Sequence, residues 1–497
     1  MNRPGCSRRS FLAAPFAVCA VAPLLARSSA PAPYGALPSS RQDTWGELEF
    51  YNFLHFTVNT FTDKEWGYGN EDPAIFNPTA FNADTIVETL KAAGSKGVIL
   101  TCKHHDGFCL WPTRTTQHSI KNSPYKHGKG DIVRELSDAA ARHGIKFGVY
   151  VSPWDRNAAS YGTPQYITMY REQLRELLTG YGPIFEIWHD GANGGSGYYG
   201  GANETRTIDK LHYYDWPATW RMEHELQPQA AIFSDVGPDV RWVGNEKGVA
   251  GDTCWATFTP RSPNGGPGAP GDVVASENTS GTRNGKYWMP AECDVSIRPG
   301  WFWHPAENGK VKTPRQLLDL YYDSVGRGAS FLLNVPPDRR GLIYETDAAA
   351  LHGFGAALRA TFSMNLAQGA KATATSTRNG DAAYAPKNLL DGNAGTYWAA
   401  DDDATTPSVT LDLPKPVTFD LMRVREYTPL GQRVAEFAVD YWKGGAWAAF
   451  GQGTSIGLCR ILRSPNPVTA QRVRLRITKS PVCPALTELA LFRESMA

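Results

Sequence analysis

The feature that most constrains this chain is an alternation, from residue 47 to about 362, of short apolar runs with stretches of helical period. The apolar runs include 50–55, 98–101, 147–151, 184–188, 230–233 and 331–335. Between them, 84–93 places Ile86, Val87 and Leu90 on one face, 131–142 does so with Ile132, Leu136, Ala139 and Ala140, and 166–178 with Tyr170, Leu174, Leu177 and Leu178. Thr313-Pro314-Arg315-Gln316 reads as a capping box with proline at the first helical position, opening a helix over 317–325. Strands that alternate with helices pack as βα units around a parallel sheet. A run of this length can close into a (β/α)8-like barrel. A doubly wound sheet is the alternative, but no glycine-rich dinucleotide turn follows the first run.

After Met364 the helical period stops and short alternating strands take over, as in 409–413, 437–441 and 473–477. That is the pattern of an antiparallel sandwich. The predicted fold class is therefore α/β: a (β/α)8-like barrel over 47–363, then an antiparallel β-sandwich (jelly-roll) over 364–497. A length of 497 residues suits this division, since one ordinary domain holds roughly 100–200 residues.

The first 30 residues predict an export signal. Ser7-Arg8-Arg9-Ser10-Phe11-Leu12 is a twin-arginine pattern, an apolar run follows to Ala26, and Ser28-Ser29-Ala30 supplies small residues for cleavage. The expected destination is a bacterial periplasm or beyond, with 31–46 left as a lead-in. No other stretch approaches the ~20 apolar residues of a membrane span. Lys plus Arg number 50 against 49 acids; Arg3, Arg8, Arg9 and Arg27 lie in the leader, so the remainder is slightly acidic. That argues against a nucleic-acid partner. Six cysteines follow the leader (Cys102, Cys109, Cys254, Cys293, Cys459, Cys483) without metal spacing, and a bridge between Cys459 and Cys483 is left open. The 15 Trp, 21 Tyr and 21 Phe provide apolar faces with polar edges, which suit both core packing and sugar rings.

In a barrel enzyme the C-terminal strand ends carry the chemistry. Along 184–191, a period of two puts Glu186, Trp188 and Asp190 on the inner face, with Phe185 and Ile187 towards the helices. Asp190 thus falls at the mouth, before the flexible Gly191-Ala192-Asn193-Gly194-Gly195. Other strand ends carry His55, the sequence Lys103-His104-His105-Asp106, and Tyr150 with Trp154. A metal site of His55, His104 and His105 lacks cage spacing; hydrogen bonding to a polyhydroxylated ligand fits imidazole better. A glycosidase needs two carboxyl groups, one ionised and one protonated. Asp190 is the candidate nucleophile, and Glu246, Glu65 and Glu292 are the candidate acids. The competing classes are a non-catalytic glycan-binding protein and a metal-dependent hydrolase.

From His55 to about Pro337 the chain resembles the retaining α-L-fucosidases, glycoside hydrolase family 29. The resemblance rests on Thr60-Phe61-Thr62-Asp63-Lys64-Glu65-Trp66-Gly67, Lys103-His104-His105-Asp106-Gly107-Phe108, Trp188-His189-Asp190-Gly191-Ala192 and Ser296-Ile297-Arg298-Pro299-Gly300-Trp301-Phe302. It implies that Asp190 is the nucleophile and that His55, Glu65, Trp66, His104, His105, Tyr150 and Trp188 line an L-fucose pocket. Trp154, Arg298 and Trp301 complete the predicted contact set. Trp242-Val243-Gly244-Asn245-Glu246 and Arg298-Pro299-Gly300-Trp301 resemble the branch selective for α-1,3/1,4-fucosyl bonds on Lewis-type glycans, which implies Glu246 as acid/base. One departure is visible: the position before the nucleophile, commonly Phe, is His189, and alternation turns it away from Asp190's face.

The stretch 365–494 resembles the discoidin-like, factor V/VIII type C sandwich, through Ala367-Gln368-Gly369-Ala370, Asn388-Leu389-Leu390-Asp391-Gly392 and Thr396-Tyr397-Trp398. Such modules often bind carbohydrate, and some hold calcium near the equivalent of Asp391; no other cofactor is expected. Asp401-Asp402-Asp403 reads as a solvated turn. A module that only braces the barrel is the other expectation. The expected partner is a fucosylated oligosaccharide or glycoprotein glycan.

Overall fold

The computed structural model describes residues 29–496. The twin-arginine motif, Cys6 and Cys19 lie outside the described residues.

Eight parallel strands close a barrel in chain order: β1 (Phe50–Leu54), β2 (Gly97–Lys103), β3 (Lys146–Val151), β4 (Glu186–Trp188), β5 (Ala231–Ser234), β6 (Val240–Trp242), β7 (Ala291–Ser296) and β8 (Ser330–Asn334). The sequence pattern had marked all but β6 and β7 as apolar runs. Those two carry Arg241, Glu292 and Asp294, charged side chains inside a strand, so no apolar run announces them.

A short helix, α1 (Ser40–Gly46), precedes the barrel. The helices α2 (Ala83–Ala92), α3 (Ile132–His143), α4 (Pro164–Gly180) and α5 (Trp216–Leu226) follow β1 to β4, and α6 (Pro314–Ser324) and α7 (Glu345–Phe362) follow β7 and β8. The Thr313–Gln316 capping box forms in both directions. Between β5 and β6 there is no helix, only 235–239. The register explains this: Val240 pairs with Phe233, so β6 begins level with the end of β5 and the chain has no need to return to the bottom of the barrel.

The barrel interior is aromatic. Tyr150 pairs with Trp188 and Trp188 with Phe233 in register. The Trp188 ring stacks on Phe233 at 4.1 Å and on Tyr150 at 5.3 Å. Below this layer Ser39 and α1 close the barrel's lower end, while Ala32 and Tyr34 before them bond to Arg433 and Leu430 of the C-terminal part. Ser39 and Gln42 form a capping box for α1, Gln42 Nε2 donates to the Asp239 and Trp288 carbonyls, and Trp45 Nε1 donates to Glu186 Oε2 at 2.9 Å. Phe185, expected to face the helices, precedes β4 and packs edge-on against Tyr51 (5.4 Å).

The C-terminal sheet comprises β9 (Lys371–Ala374), β10 (Trp398–Ala399), β11 (Ser408–Glu426), β12 (Glu436–Lys443), β13 (Ala446–Thr454), β14 (Arg460–Lys479) and β15 (Ala485–Phe492), all antiparallel. The long strands β11 and β14 change register between Asp412 and Val417 and again between Phe419 and Leu421. Such bulges bend a strand, so the sheet curls around its own core of Trp398, Leu411, Phe419, Phe437 and Leu475. Leu421, Cys459, Ile461, Ala490 and Phe492 belong instead to the apolar cluster of the barrel. Ion pairs Arg425–Glu49 and Arg463–Asp319 flank that contact. The six described cysteines, Cys459 and Cys483 included, are free and buried. Asp391 spends its oxygens on Asn393 N–H and Thr396 O–H, and among the described residues no group of three or more His, Cys, Asp or Glu could hold a metal. No described helix is long and apolar enough to cross a membrane.

Candidate active site

The strand ends divide the barrel mouth by chemistry. The ends of β8, β1, β2 and β3 bring Asn334, His55, His104, His105 and Tyr150 together, all neutral. The ends of β4 to β7 bring Asp190, Asp235, Glu246 and Asp294. Between the two halves lies a cavity of about 240 Å³ lined by His55, Trp66, His104, His105, Trp188, Asp190, Asp235, Trp242, Glu246, Asp294 and Trp301, among others. Drug-sized ligands occupy roughly 300–1,000 Å³, so this cavity suits one sugar ring.

Alternation places Glu186 and Trp188 inside the barrel and Asp190 two residues on, at the mouth, where its side chain is 23% exposed. Tyr150 Oη donates to Asp190 Oδ2 at 2.9 Å and the Ala192 N–H to Oδ1 at 2.7 Å. His105 Nε2 stands 3.8 Å from Oδ2. His189 is turned away and wholly buried, as alternation requires.

The imidazole tautomers follow from their partners. Asn334 Nδ2 must face the Trp301 carbonyl, to which it donates at 2.8 Å, so its Oδ1 accepts from His55 Nδ1 at 2.9 Å. The Ser152 hydroxyl donates its single proton to the Trp154 carbonyl, so it accepts from His105 Nδ1 at 2.7 Å. Both rings therefore offer a bare Nε2 lone pair, the partner a sugar hydroxyl needs as donor. Burial keeps them neutral: it pushes His55 down to about 4 and lowers His104 and His105 as well.

The carboxyls behave in the opposite sense. Burial raises Glu246, with Asp190 and Glu65 adding to the effect, while the Trp301 Nε1 donor at 3.3 Å opposes it. Burial holds Asp294 well above the usual range, although Trp242 Nε1 donates to it at 2.9 Å. Glu292, a candidate acid on sequence, is excluded by position. It is wholly buried beneath Trp188, whose Nε1 donates to it at 2.7 Å, and it shares its site with Glu186 and the Tyr51 hydroxyl. Glu65 is likewise not on the cavity wall. It accepts from the Trp301 and Phe302 N–H groups at 2.8 and 3.1 Å and so fixes the loop that carries Trp301.

Three predicted sugar contacts are also placed differently. Tyr150 is wholly buried and off the cavity wall, and its hydroxyl serves Asp190 instead. Arg298 does not reach the cavity: its guanidinium is buried in a bidentate pair with Asp347, at 2.7 and 2.9 Å. Trp154 lies behind Trp66 and His105, with ring centroids at 5.5 and 5.3 Å, and supports them. Trp66 itself stands at the rim, 52% exposed. Sequence reasoning missed Asp235, Asp294, Trp242 and Asn334. Asp235 could have been found by applying to 230–233 the strand-end rule that found Asp190.

The α-L-fucosidase family model matches residues 36–361, and the F5/8 type C domain model matches 371–489. Over 472 residues the chain is 43% identical to Alpha-L-fucosidase 1 of Arabidopsis thaliana, covering 94% of this chain and 89% of that one. A glycoside hydrolase 29 family member from an unknown rumen bacterium superposes with a TM-score of 0.81 at 40% identity, over 93% of this chain and 78% of that one. A Ruminococcus gnavus GH29 fucosidase in complex with fucose superposes with a TM-score of 0.83 at 32% identity, over 95% and 98%. With the barrel, the acidic half of its mouth and the imidazole half all present, the chain belongs to the α-L-fucosidases of glycoside hydrolase family 29 and carries an F5/8 type C domain behind its barrel.

Proposed function

We propose that this α-L-fucosidase is an exo-acting, retaining enzyme that removes terminal α-1,3/1,4-linked L-fucose from branched, Lewis-type glycans. The observation that carries the reading is that Asp190 and Glu246 line one cavity of about 240 Å³, Asp190 held by Tyr150 and Ala192 and Glu246 raised by burial. Glu246 gives its proton to the glycosidic oxygen as Asp190 attacks the anomeric carbon, forming a fucosyl ester and releasing the glycan. Glu246, now ionised, takes a proton from water, and the water oxygen displaces Asp190 from the same carbon. His55 and His105 Nε2 accept from ring hydroxyls, and Trp66 and Trp188 supply apolar surface for the ring and its methyl group. The linkage preference is supported by the Trp242–Glu246 and Arg298–Trp301 segments, which resemble the α-1,3/1,4-selective branch.

The reading extends to compartment. The Ser7–Leu12 motif supports twin-arginine export and a periplasmic or secreted enzyme, with a signal over 1–30, the catalytic barrel over 47–363 and a carbohydrate-binding module over 364–497. Replacing Arg8 and Arg9 with Lys should leave the protein in the cytoplasmic fraction.

The test of the main reading is a panel of α-1,2-, α-1,3- and α-1,4-fucosides, with the first-formed anomer followed by NMR. Release of α-L-fucose from the α-1,3 and α-1,4 substrates, with the α-1,2 substrate slow, is expected. β-L-Fucose as first product, or α-1,2 preference, overturns mechanism or linkage respectively.

A further inference from the structure

Asp235, at the end of β5, has no part in the reaction as derived above. Its surroundings are unusually close. An added Cβ on Gly191, the residue after Asp190, would lie 2.3 Å from Asp235 Oδ2 and 2.8 Å from Oδ1. The carboxyl therefore packs directly on the backbone of the loop that carries Asp190. Its Oδ2 accepts from the Gly271 N–H at 2.7 Å. Gly271 in turn has no room for a side chain, since a Cβ there would meet the Gly191 carbonyl oxygen at 2.3 Å and Asn193 Nδ2 at 2.5 Å, and its φ is +77°. Asn193 Nδ2 spans the same gap, donating to the Gly191 carbonyl at 2.9 Å and the Pro270 carbonyl at 3.2 Å. The wholly buried Asn278 fixes Asp235 from behind, through a 2.7 Å bond from Nδ2 to the Asp235 carbonyl.

Two glycine-rich segments, 191–195 and 262–271, thus meet backbone to backbone, and the only carboxylate wedged between them is Asp235 among the described residues. From Gly191 the path to the reacting atoms is one residue long, because the Ala192 N–H donates to Asp190 Oδ1 at 2.7 Å. We propose that Asp235 is a positioning residue for Asp190: it latches the 191–195 loop to Gly271 and so aims the Ala192 N–H and the Asp190 carboxylate at the anomeric carbon. Glycine-rich loops have many accessible backbone states, so without a fixed partner this loop would spread the orientation of the group it carries. Misplacement of a reacting group by about 1 Å can cost roughly 100-fold. Burial and the neighbouring Asp190 charge push Asp235 up to about 7, against the Gly271 bond.

The proposal rests on the retaining reading, and the test separates the two. The wild type and Asp235→Ala, Asp235→Asn and Gly271→Ala are compared by steady-state kinetics on an aryl α-L-fucoside, and by the rate of inactivation with a 2-deoxy-2-fluoro-fucosyl fluoride. That reagent reads attack by Asp190 alone. Asp235→Ala is expected to lower kcat and the trapping rate together by roughly 10–100-fold, with KM changed far less. Asp235→Asn, whose amide oxygen can still accept from Gly271, should recover most of the loss. Gly271→Ala, which forces the loops apart with Asp235 intact, should reproduce it. Trapping of Asp235→Ala at the wild-type rate, or a change in KM alone, overturns the latch. Failure of the wild type to be labelled at Asp190 overturns the retaining reading instead.

Discussion

Tyr150 donates a 2.9 Å hydrogen bond to Asp190 Oδ2 from the neighbouring strand, and its ring is stacked on Trp188 and on His104. The phenol is fully buried and held well above its usual pKa, so it remains a donor throughout the working range. Asp190 loses its charge when it forms the ester and regains it when the ester is hydrolysed. A donor on Oδ2 therefore helps most in the second step. Asp190→Ala should abolish release of fucose. Tyr150→Phe should lower kcat about 10–100-fold, in keeping with roughly 1.5–3 kcal/mol for a hydrogen bond to a charged group. The loss should be largest on activated aryl fucosides, where ester hydrolysis limits the rate, and pre-steady-state burst kinetics checks this.

Glu246 must carry a proton to act on a natural leaving group, so activity should fall as pH rises through its raised pKa. The Trp301 indole N–H stabilises the ionised form. Removing it in Trp301→Phe should move the alkaline limb of kcat/KM to higher pH, whatever is lost in affinity. Glu246→Ala should lose most activity on a trisaccharide but keep first-step turnover of a good aryl leaving group, with azide restoring the second step as a fucosyl azide. A trisaccharide rate for Glu246→Ala within a few-fold of wild type would transfer the acid role to Asp294 or Asp235.

Behind the same strand, His189 Nε2 lies 3.0 and 3.1 Å from the two oxygens of Glu223, all of them wholly buried. Tyr170 Oη donates to the Val151 carbonyl at 2.9 Å, so at 2.8 Å it can only accept from His189 Nδ1. His189 Nε2 is then left facing the Glu223 carboxyl. His189→Phe, which installs the residue common in the family, strands a buried carboxyl and should destabilise by about 3–5 kcal/mol. Glu223→Leu added to it should recover much of that loss. A double-mutant cycle in urea measures the coupling.

How far the sequence could be read depended on what each side chain must satisfy. Asp190 was legible because the strand before it alternates cleanly and a glycine loop follows. The imidazole half was legible because His55 and His104-His105 end apolar strands. Position relative to the cavity was not. Glu65 and Arg298 sit in motifs beside the site, but whether such a residue faces the sugar or a loop depends on partners far along the chain: Trp301 and Phe302 for Glu65, Asp347 for Arg298. Glu292 looked like any candidate acid, because only the three-dimensional barrel shows that β7 puts it one layer below Asp294. The helix over 40–46 was hidden in a proline- and serine-rich lead-in, although Ser39 and Gln42 have the spacing of a capping box.

The contact between the two parts of the chain yields the last prediction. Phe492 of β15 packs edge-on against Phe362 of α7 at 5.0 Å, and Arg423 lies over both rings at 4.8 and 5.4 Å. Phe492 is 1% exposed and belongs to the same apolar cluster as the barrel helices. The ion pairs at the rim of this contact are partly exposed and contribute little by comparison. With a shared core, barrel and sandwich should unfold as one unit, so calorimetry of the full chain should give a single endotherm. Phe492→Ala should lower its midpoint through a loss of about 3–5 kcal/mol. It should leave kcat at 25 °C near the wild-type value, because the contact lies at the helix layer and far from the strand ends that carry Asp190 and Glu246. Two separated transitions in the wild type would mean that the sandwich is tethered to the barrel without bracing it.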